Sequence, residues 1–239
     1  MATQVYKDCK VYLGEKDISA DLNNVAISDG AEMQDDTTMG DDTRSNKAGL
    51  KTVGVAIEGF VQADTDLVED TIWDKFAAVD EVLTMCPETG ADGEVAFVLK
   101  SVIANYNPGG SVGDMYAFTV DANATGDLYK GTIMATGVET ATGTGVARQL
   151  GAVGATEKVY AALHVLEATA VSTLDVIIQS DDAVGFPAPD DEITFVQATA
   201  AGTQLLSADG AITNDYWRVS WTIGGAAPSF TFVVVIWIV

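Results

Sequence analysis

Between residues 52 and 60 apolar and polar side chains alternate without a break. Val53, Val55 and Ile57 fall on one side, and Thr52, Gly54 and Glu58 on the other. A period of two marks a strand with one buried face. The rhythm recurs at residues 9–13, 18–28, 94–104, 116–120 and 129–137, and again at 159–168, 174–179, 192–197 and 216–223. In the last of these Trp217, Val219, Trp221 and Ile223 share a face, and Arg218, Ser220 and Thr222 share the other. Residues 230–239 are apolar almost throughout, which predicts a strand buried on both faces. Left at an open edge such a strand would aggregate, so its own domain or a neighbouring subunit must cover it.

One segment breaks the rhythm. Val68, Ile72, Phe76, Val79 and Leu83 recur at helical spacing, Asp66 can cap the segment with Glu69 three residues on, and Cys86-Pro87 ends it. The spacing predicts an amphipathic helix over about 66–85, packed against a sheet. Residues 29–49 are polar and acid-rich, and read as a long loop or projecting hairpin; loops of that length are usually functional. Residues 136–156 are rich in Thr, Gly and Ala and suggest a connection. The expected organisation is mainly β: a β domain with one helix at 1–140, a connection at 141–158, and a β-sandwich-like module at 159–239.

Charge narrows the function. Asp and Glu number 35 against 12 Lys and Arg, a net charge of -23. Gripping phosphates requires Lys and Arg to displace counterions, so this balance argues against a nucleic-acid binder. It argues equally against anionic membrane surfaces. The amino-terminal residues lack the apolar core of a signal peptide. Residues 230–239 are far short of the roughly 20 needed for a spanning helix. Cys9 and Cys86 are far apart, form no Cys-x-x-Cys pair, and are expected as buried, reduced thiols.

Catalytic constellations are missing from the sequence. The one histidine, His164, sits among apolar neighbours and reads as a structural strand residue. A single histidine rules out HExxH chemistry and multi-histidine metal sites. Residues 126–132 mimic a phosphate loop, but the lysine precedes the second glycine instead of following it. The pairs Asp35-Asp36, Asp41-Asp42, Asp181-Asp182 and Asp190-Asp191 match no EF-hand loop and read as solvated acid. No enzyme, cofactor or metal is expected.

The order of features from residue 37 to 60 carries the strongest signal. A Thr37-Thr38-x-Gly40-Asp41 loop is followed by Arg44, a Gly49-Leu50-Lys51 turn, and a strand closing on Gly59-Phe60. With the helix and the strands after Gly93, this order resembles the tail tube proteins of long-tailed, siphovirus-like bacteriophages, over about residues 11–137. The resemblance implies a tail-tube-type β-sandwich or barrel with one flanking helix. It implies copies joined edge to edge into rings, usually hexameric, that stack into a hollow tube for DNA. Thr37, Thr38, Gly40, Asp41, Arg44, Gly49 and Leu50 then lie at or near an assembly interface. The implied partners are further copies of the chain and the tape-measure, tail-tip and tail-terminator proteins. DNA passes without specific binding, no membrane is involved, and the location is the virion tail, after synthesis in the bacterial cytoplasm. The second module is large for a tube subunit; it would decorate the outside or make a pseudo-hexamer from three chains. Rival readings are a capsid decoration or tail-tip protein, and a carbohydrate-binding module using Trp217 or Trp221.

Overall fold

The computed structural model describes residues 7–62 and 68–239. Its strands, in chain order, begin with β1 (Lys10–Leu13), β2 (Lys16–Asp17), β3 (Leu22–Asp35) and β4 (Asn46–Phe60). The helix α1 (Val68–Asp74) follows, then β5 (Glu81–Cys86), β6 (Val95–Gly109), β7 (Ala117–Ala124) and β8 (Tyr129–Glu139). The remainder are β9 (Gly143–Thr144), β10 (Arg148–Gln149), β11 (Lys158–Ala168), β12 (Ser172–Asp181) and β13 (Asp190–Thr194). β14 (Gly202–Asp209), β15 (Tyr216–Gly225) and β16 (Phe230–Ile238) complete the chain. Contacts group these elements into two units: residues 1–19, 82–98 and 129–239, and residues 20–81 and 99–128.

In the first unit a sheet runs β14-β11-β16-β8-β6-β5-β1-β2. One face packs on a second sheet, β10-β15-β12-β13, with β9 beside β15. The core between them takes Leu163 and Val165 from β11, Phe232 and Val234 from β16, Val176 and Ile178 from β12, and Trp217 and Val219 from β15. Alternation sends the next residues of the same strands to the opposite face, where Ala162, Val233, Val235 and Trp237 meet Tyr12, Val82 and Cys86. The sheet therefore curls, bringing its β5-β1-β2 end over β11. β16 is the shared wall of a sandwich and a small barrel. It is a central strand between β11 and β8, buried from Phe232 to Trp237. Full burial of each such side chain contributes about 1.5–3 kcal/mol. The two-sided burial predicted for residues 230–239 is present, and the chain's own strands provide the cover. The Thr/Gly/Ala-rich stretch adds β9 and β10 to the second sheet, within this unit.

His164 sits inside the barrel, fully buried. Gly14 O can only accept, so His164 Nδ1 donates to it at 2.7 Å. The neutral ring then has Nε2 as acceptor, and the Thr84 hydroxyl donates to it at 2.8 Å. Burial pushes the imidazole down to about 4, against weaker upward pulls from the Gly14 carbonyl and Glu15. Cys86, also buried, is pushed up to about 12 by burial. Its thiol is inert, whereas Cys9 is only half-buried.

The second unit is built on a four-stranded antiparallel sheet, β3-β4-β7-β6. Val53, Val55, Ile57, Ile103, Phe118 and Val120 are buried on one face. α1 covers that face: Tyr106 donates to Glu69 at 2.6 Å, and its ring meets Trp73 and Phe118. Gly59 belongs to the closest approach, because a Cβ there would lie 2.5 Å from Asp21 O and 2.6 Å from the Phe118 ring. That contact explains the glycine before Phe60 without any special backbone angle.

The helix is shorter than its pattern predicts. It ends at Asp74, and Phe76 instead bridges to Ile103. Ala77 (φ 60°) and Asp80 (φ 64°) turn the backbone into the left-handed region, and residues 81–86 become β5. The stripe's last member, Leu83, is a strand residue. Asp66, the predicted cap, lies outside the described residues.

The buried neutral His164 predicts acid sensitivity. Its folded-state value lies below the ordinary 6.5, so the unfolded chain binds more protons between pH 6.5 and about 4. Stability is full above about pH 6.5 and falls by about 3 kcal/mol as pH drops to about 4. Urea unfolding of His164→Asn, which cannot titrate, should lack that slope; an unchanged slope would assign it elsewhere.

Candidate functional site

β3 and β4 continue past the rest of their sheet. β7 pairs with β4 only from Phe60 to Gly54, and beyond that point β3 and β4 form a bare two-stranded ribbon. From Ser28 to Thr52 every residue except Asp36 is exposed. The polar stretch at 29–49 is thus a projecting hairpin. A ribbon with solvent on both faces and no core is marginal by itself.

The tip is nevertheless tightly organised. Asp35 Oδ1 accepts from the Thr37 amide at 3.0 Å and from the Thr37 hydroxyl. That hydroxyl also accepts from the Ser45 amide at 3.0 Å. Asp41 Oδ2 accepts from the Thr38 amide at 2.7 Å and its hydroxyl at 3.0 Å, while the Asp41 amide donates to Thr38 O. Lys47 reaches Asp36 at 2.7 Å. These bonds hold Asp35 (through Thr37), Asp36 (through Lys47) and Asp41 (through Thr38) below the usual carboxylate range. Asp35, Asp36 and Asp41 therefore stitch a turn. Asp181 does likewise, accepting from the Ala183 and Ala188 amides at 2.9 and 3.0 Å. Among the described residues no group of three or more His, Cys, Asp or Glu could hold a metal ion.

All seven predicted interface residues lie on the hairpin. Thr37, Thr38 and Asp41 come together at the tip, with Gly40 and Arg44 in the same turn. Gly49 and Leu50 stand apart from them, on β4. The Gly49-Leu50-Lys51 segment is not a turn. It lies inside β4, where Lys51 faces Ala31 but Ala48 faces Met33, so β4 carries one extra residue in a bulge. Met33, Met39 and Leu50 stand in solvent, Leu50 at 78% exposure.

The register adds a surface that alternation alone left unassembled. The open face of the four-stranded sheet gathers Ala26 and Ser28 from β3, Ala56 and Glu58 from β4, Thr119 and Asp121 from β7, and Asn105 and Asn107 from β6. Its charged strand residues are the carboxylates Glu58 and Asp121, and none of its paired strand positions between Asn24 and Ser28 or their partners is Lys, Arg or His. Asn105 donates to Asp121 at 3.3 Å across it.

Trp217 and Trp221, by contrast, are buried in the sandwich core, with their indole N–H groups bonded to Gly151 O at 2.8 Å and Ala141 O at 3.0 Å. Neither forms an exposed platform for a sugar ring.

No family model matches the chain. No curated protein matches it either. Among solved structures it is similar to a chain from the virion of a native gene transfer agent particle. There the TM-score is 0.43 and the identity 20%, over 54% of this chain and 98% of that one. It is similar to the SPP1 Dit protein (TM-score 0.41, 12% identity, 98% and 100% covered). The SPP1 tail tube gives 0.39 and 12%, over 52% and 76%. The neighbours are thus a phage tail tube protein, a phage hub protein and a chain of a gene transfer agent virion. The superpositions are loose, and the functional reading rests on the chain's own geometry.

The capped turns predict a local acid response. Asp35→Ala and Asp41→Ala should raise hydrogen exchange at the Thr37 and Thr38 amides several-fold while leaving the global unfolding midpoint almost unchanged. In the parent chain the same loosening should appear only as pH falls through the depressed carboxylate values. Unchanged exchange in both variants would show the turn to be held by other means.

Proposed function

We propose that this chain is the building block of a phage tail tube. Copies join side by side into rings, hexameric with a trimer as the alternative, and the rings stack through the hairpins. The observation that carries the reading is the hairpin itself: two long strands, organised at the tip and solvated along their length, which need a partner surface. Thr37, Thr38, Gly40, Asp41, Arg44, Gly49 and Leu50 are its contact residues. Ring closure would remove the sheet edges that a monomer leaves open. Repeated head-to-tail contacts between rings would give an open-ended filament.

The open face of the β3-β4-β7-β6 sheet suits the wall of such a tube. Small and amide side chains leave it smooth, and Glu58 and Asp121 repel phosphates. The Debye length is about 8 Å at physiological ionic strength, so this repulsion works close to the wall. DNA would pass during ejection without adhering. The reading entails no catalysis, a place in the virion tail, and contacts with tape-measure, tail-tip and terminator proteins.

Electron microscopy of the purified chain should show rings or tubes of uniform bore. Replacing residues 37–44 by a two-residue turn should abolish stacking and leave the circular dichroism spectrum unchanged. Persistent monomers at high concentration in several salts would overturn the proposal. A label confined to the tip or head of virions would point to a hub or decoration protein instead.

A further inference from the structure

The hairpin's two outer edges differ in charge. Over residues 28–35, β3 carries Asp29, Glu32 and Asp35 and no base. Over residues 46–53, β4 carries Lys47 and Lys51 and no acid. Both edges are open in the described residues. β3 pairs only with β4, and β4 has lost β7 beyond Gly54.

The β4 edge also has a shape. It forms one wall of a groove of about 500 Å³ whose other wall is the β7–β8 turn at residues 124–127. That second wall is Ala-Thr-Gly-Asp, so little side-chain bulk stands in the groove. A Cβ added at Gly126 would meet nothing within 4 Å. Lys51 reaches across to Asp127 at 3.9 Å, and Lys47 holds Asp36 at 2.7 Å. Both ammonium groups are more than two-thirds exposed, and surface ion pairs of this kind add little to stability. The lysines are free to exchange their partners. An open edge beside a low floor is a slot for an extended strand, which binds through main-chain hydrogen bonds and is selected by its side chains.

Resting on the tube reading, we propose that the β4 edge of one copy receives the β3 edge of a second copy. The hairpins would then join as an antiparallel pair, with Lys47 and Lys51 against Asp29 and Glu32. β3 and β4 run oppositely within each hairpin, so copies pointing the same way along an axis present antiparallel edges. The two edges are different surfaces, so every copy offers one of each and the contact repeats. Like edges repel, acid against acid and lysine against lysine, which selects this arrangement over a symmetric dimer. Leu50, at the mouth of the groove, is covered by the incoming strand.

Charge exchange in the full chain tests this, read by sedimentation and electron microscopy at fixed protein and salt concentration. Lys47→Glu with Lys51→Glu should lower the assembled fraction at least tenfold, and Asp29→Lys with Glu32→Lys should do the same. One chain carrying all four changes should assemble to within twofold of the parent. If either reversal lowers the melting temperature of the monomer, Lys47→Gln with Lys51→Gln carries the test, with assembly again expected to fall. Parent assemblies indifferent to every change would overturn the edge pairing and leave the tube reading intact. Failure of the fourfold chain to recover would also overturn the pairing. A parent chain that never assembles would overturn both.

Discussion

A β-strand cannot satisfy its own backbone. Each amide and carbonyl that a neighbouring strand leaves unpaired must find water or another chain, and the fold is arranged around that requirement. The first unit meets it internally. Its long sheet curls until β2 lies near β11, and its most apolar strand, β16, is placed in the middle with a sheet on one face and a barrel interior on the other. The second unit does the reverse. Among the described residues it extends β3 and β4 beyond the reach of β7 and leaves one sheet face exposed. One chain thus contains a solution and a postponement of the same problem.

This division explains where polar groups are spent. In the barrel burial keeps a single histidine neutral, and Thr84 and Gly14, far from it in sequence, satisfy its two ring nitrogens, because an unpaired ring buried there would be costly. On the hairpin Asp35 and Asp41 are used locally, each closing a turn within a few residues. Local stitching keeps the tip ordered without help from a core. It pre-organises the tip, so that less freedom is lost when a partner arrives.

Much of the strand content was legible because alternation is a direct image of burial. Val53, Val55 and Ile57 turn inward as their spacing predicts, and so do Trp217, Val219 and Trp221. The helix is shorter than the 66–85 its spacing predicts because Val68, Ile72, Phe76, Val79 and Leu83 keep helical spacing past the point at which the chain turns into β5. Nothing local reveals that Ala77 and Asp80 would take positive φ and that Val82, Thr84 and Cys86 would face a barrel. β14 escaped notice because Gly202–Asp209 is half-buried along most of its length and shows little alternation. The seven residues proposed for an interface are picked out by the order of their motif, and all lie on the hairpin. Asp35 and Ser45, which hold the tip together, were not, although Asp35-x-Thr37 is a turn-forming spacing.

Charge alone could not separate solubility from function, since an excess of acid serves both. Placement does what composition cannot. The excess is spread over the whole molecule, yet among the open-face positions paired with Asn24 to Ser28 the charged residues are Glu58 and Asp121. A face meant merely to be soluble would gain from mixed charges, including lysine. A face meant to let a polyanion slide must omit lysine and arginine, since each would hold a phosphate by releasing its counterion. Two bases, Lys47 and Lys51, stand instead on the hairpin flank, where the proposed pairing would set them against an acidic edge. Under the proposed reading, the acid of that face would keep a polyanion from adhering, and the lysines of the flank would meet a second copy.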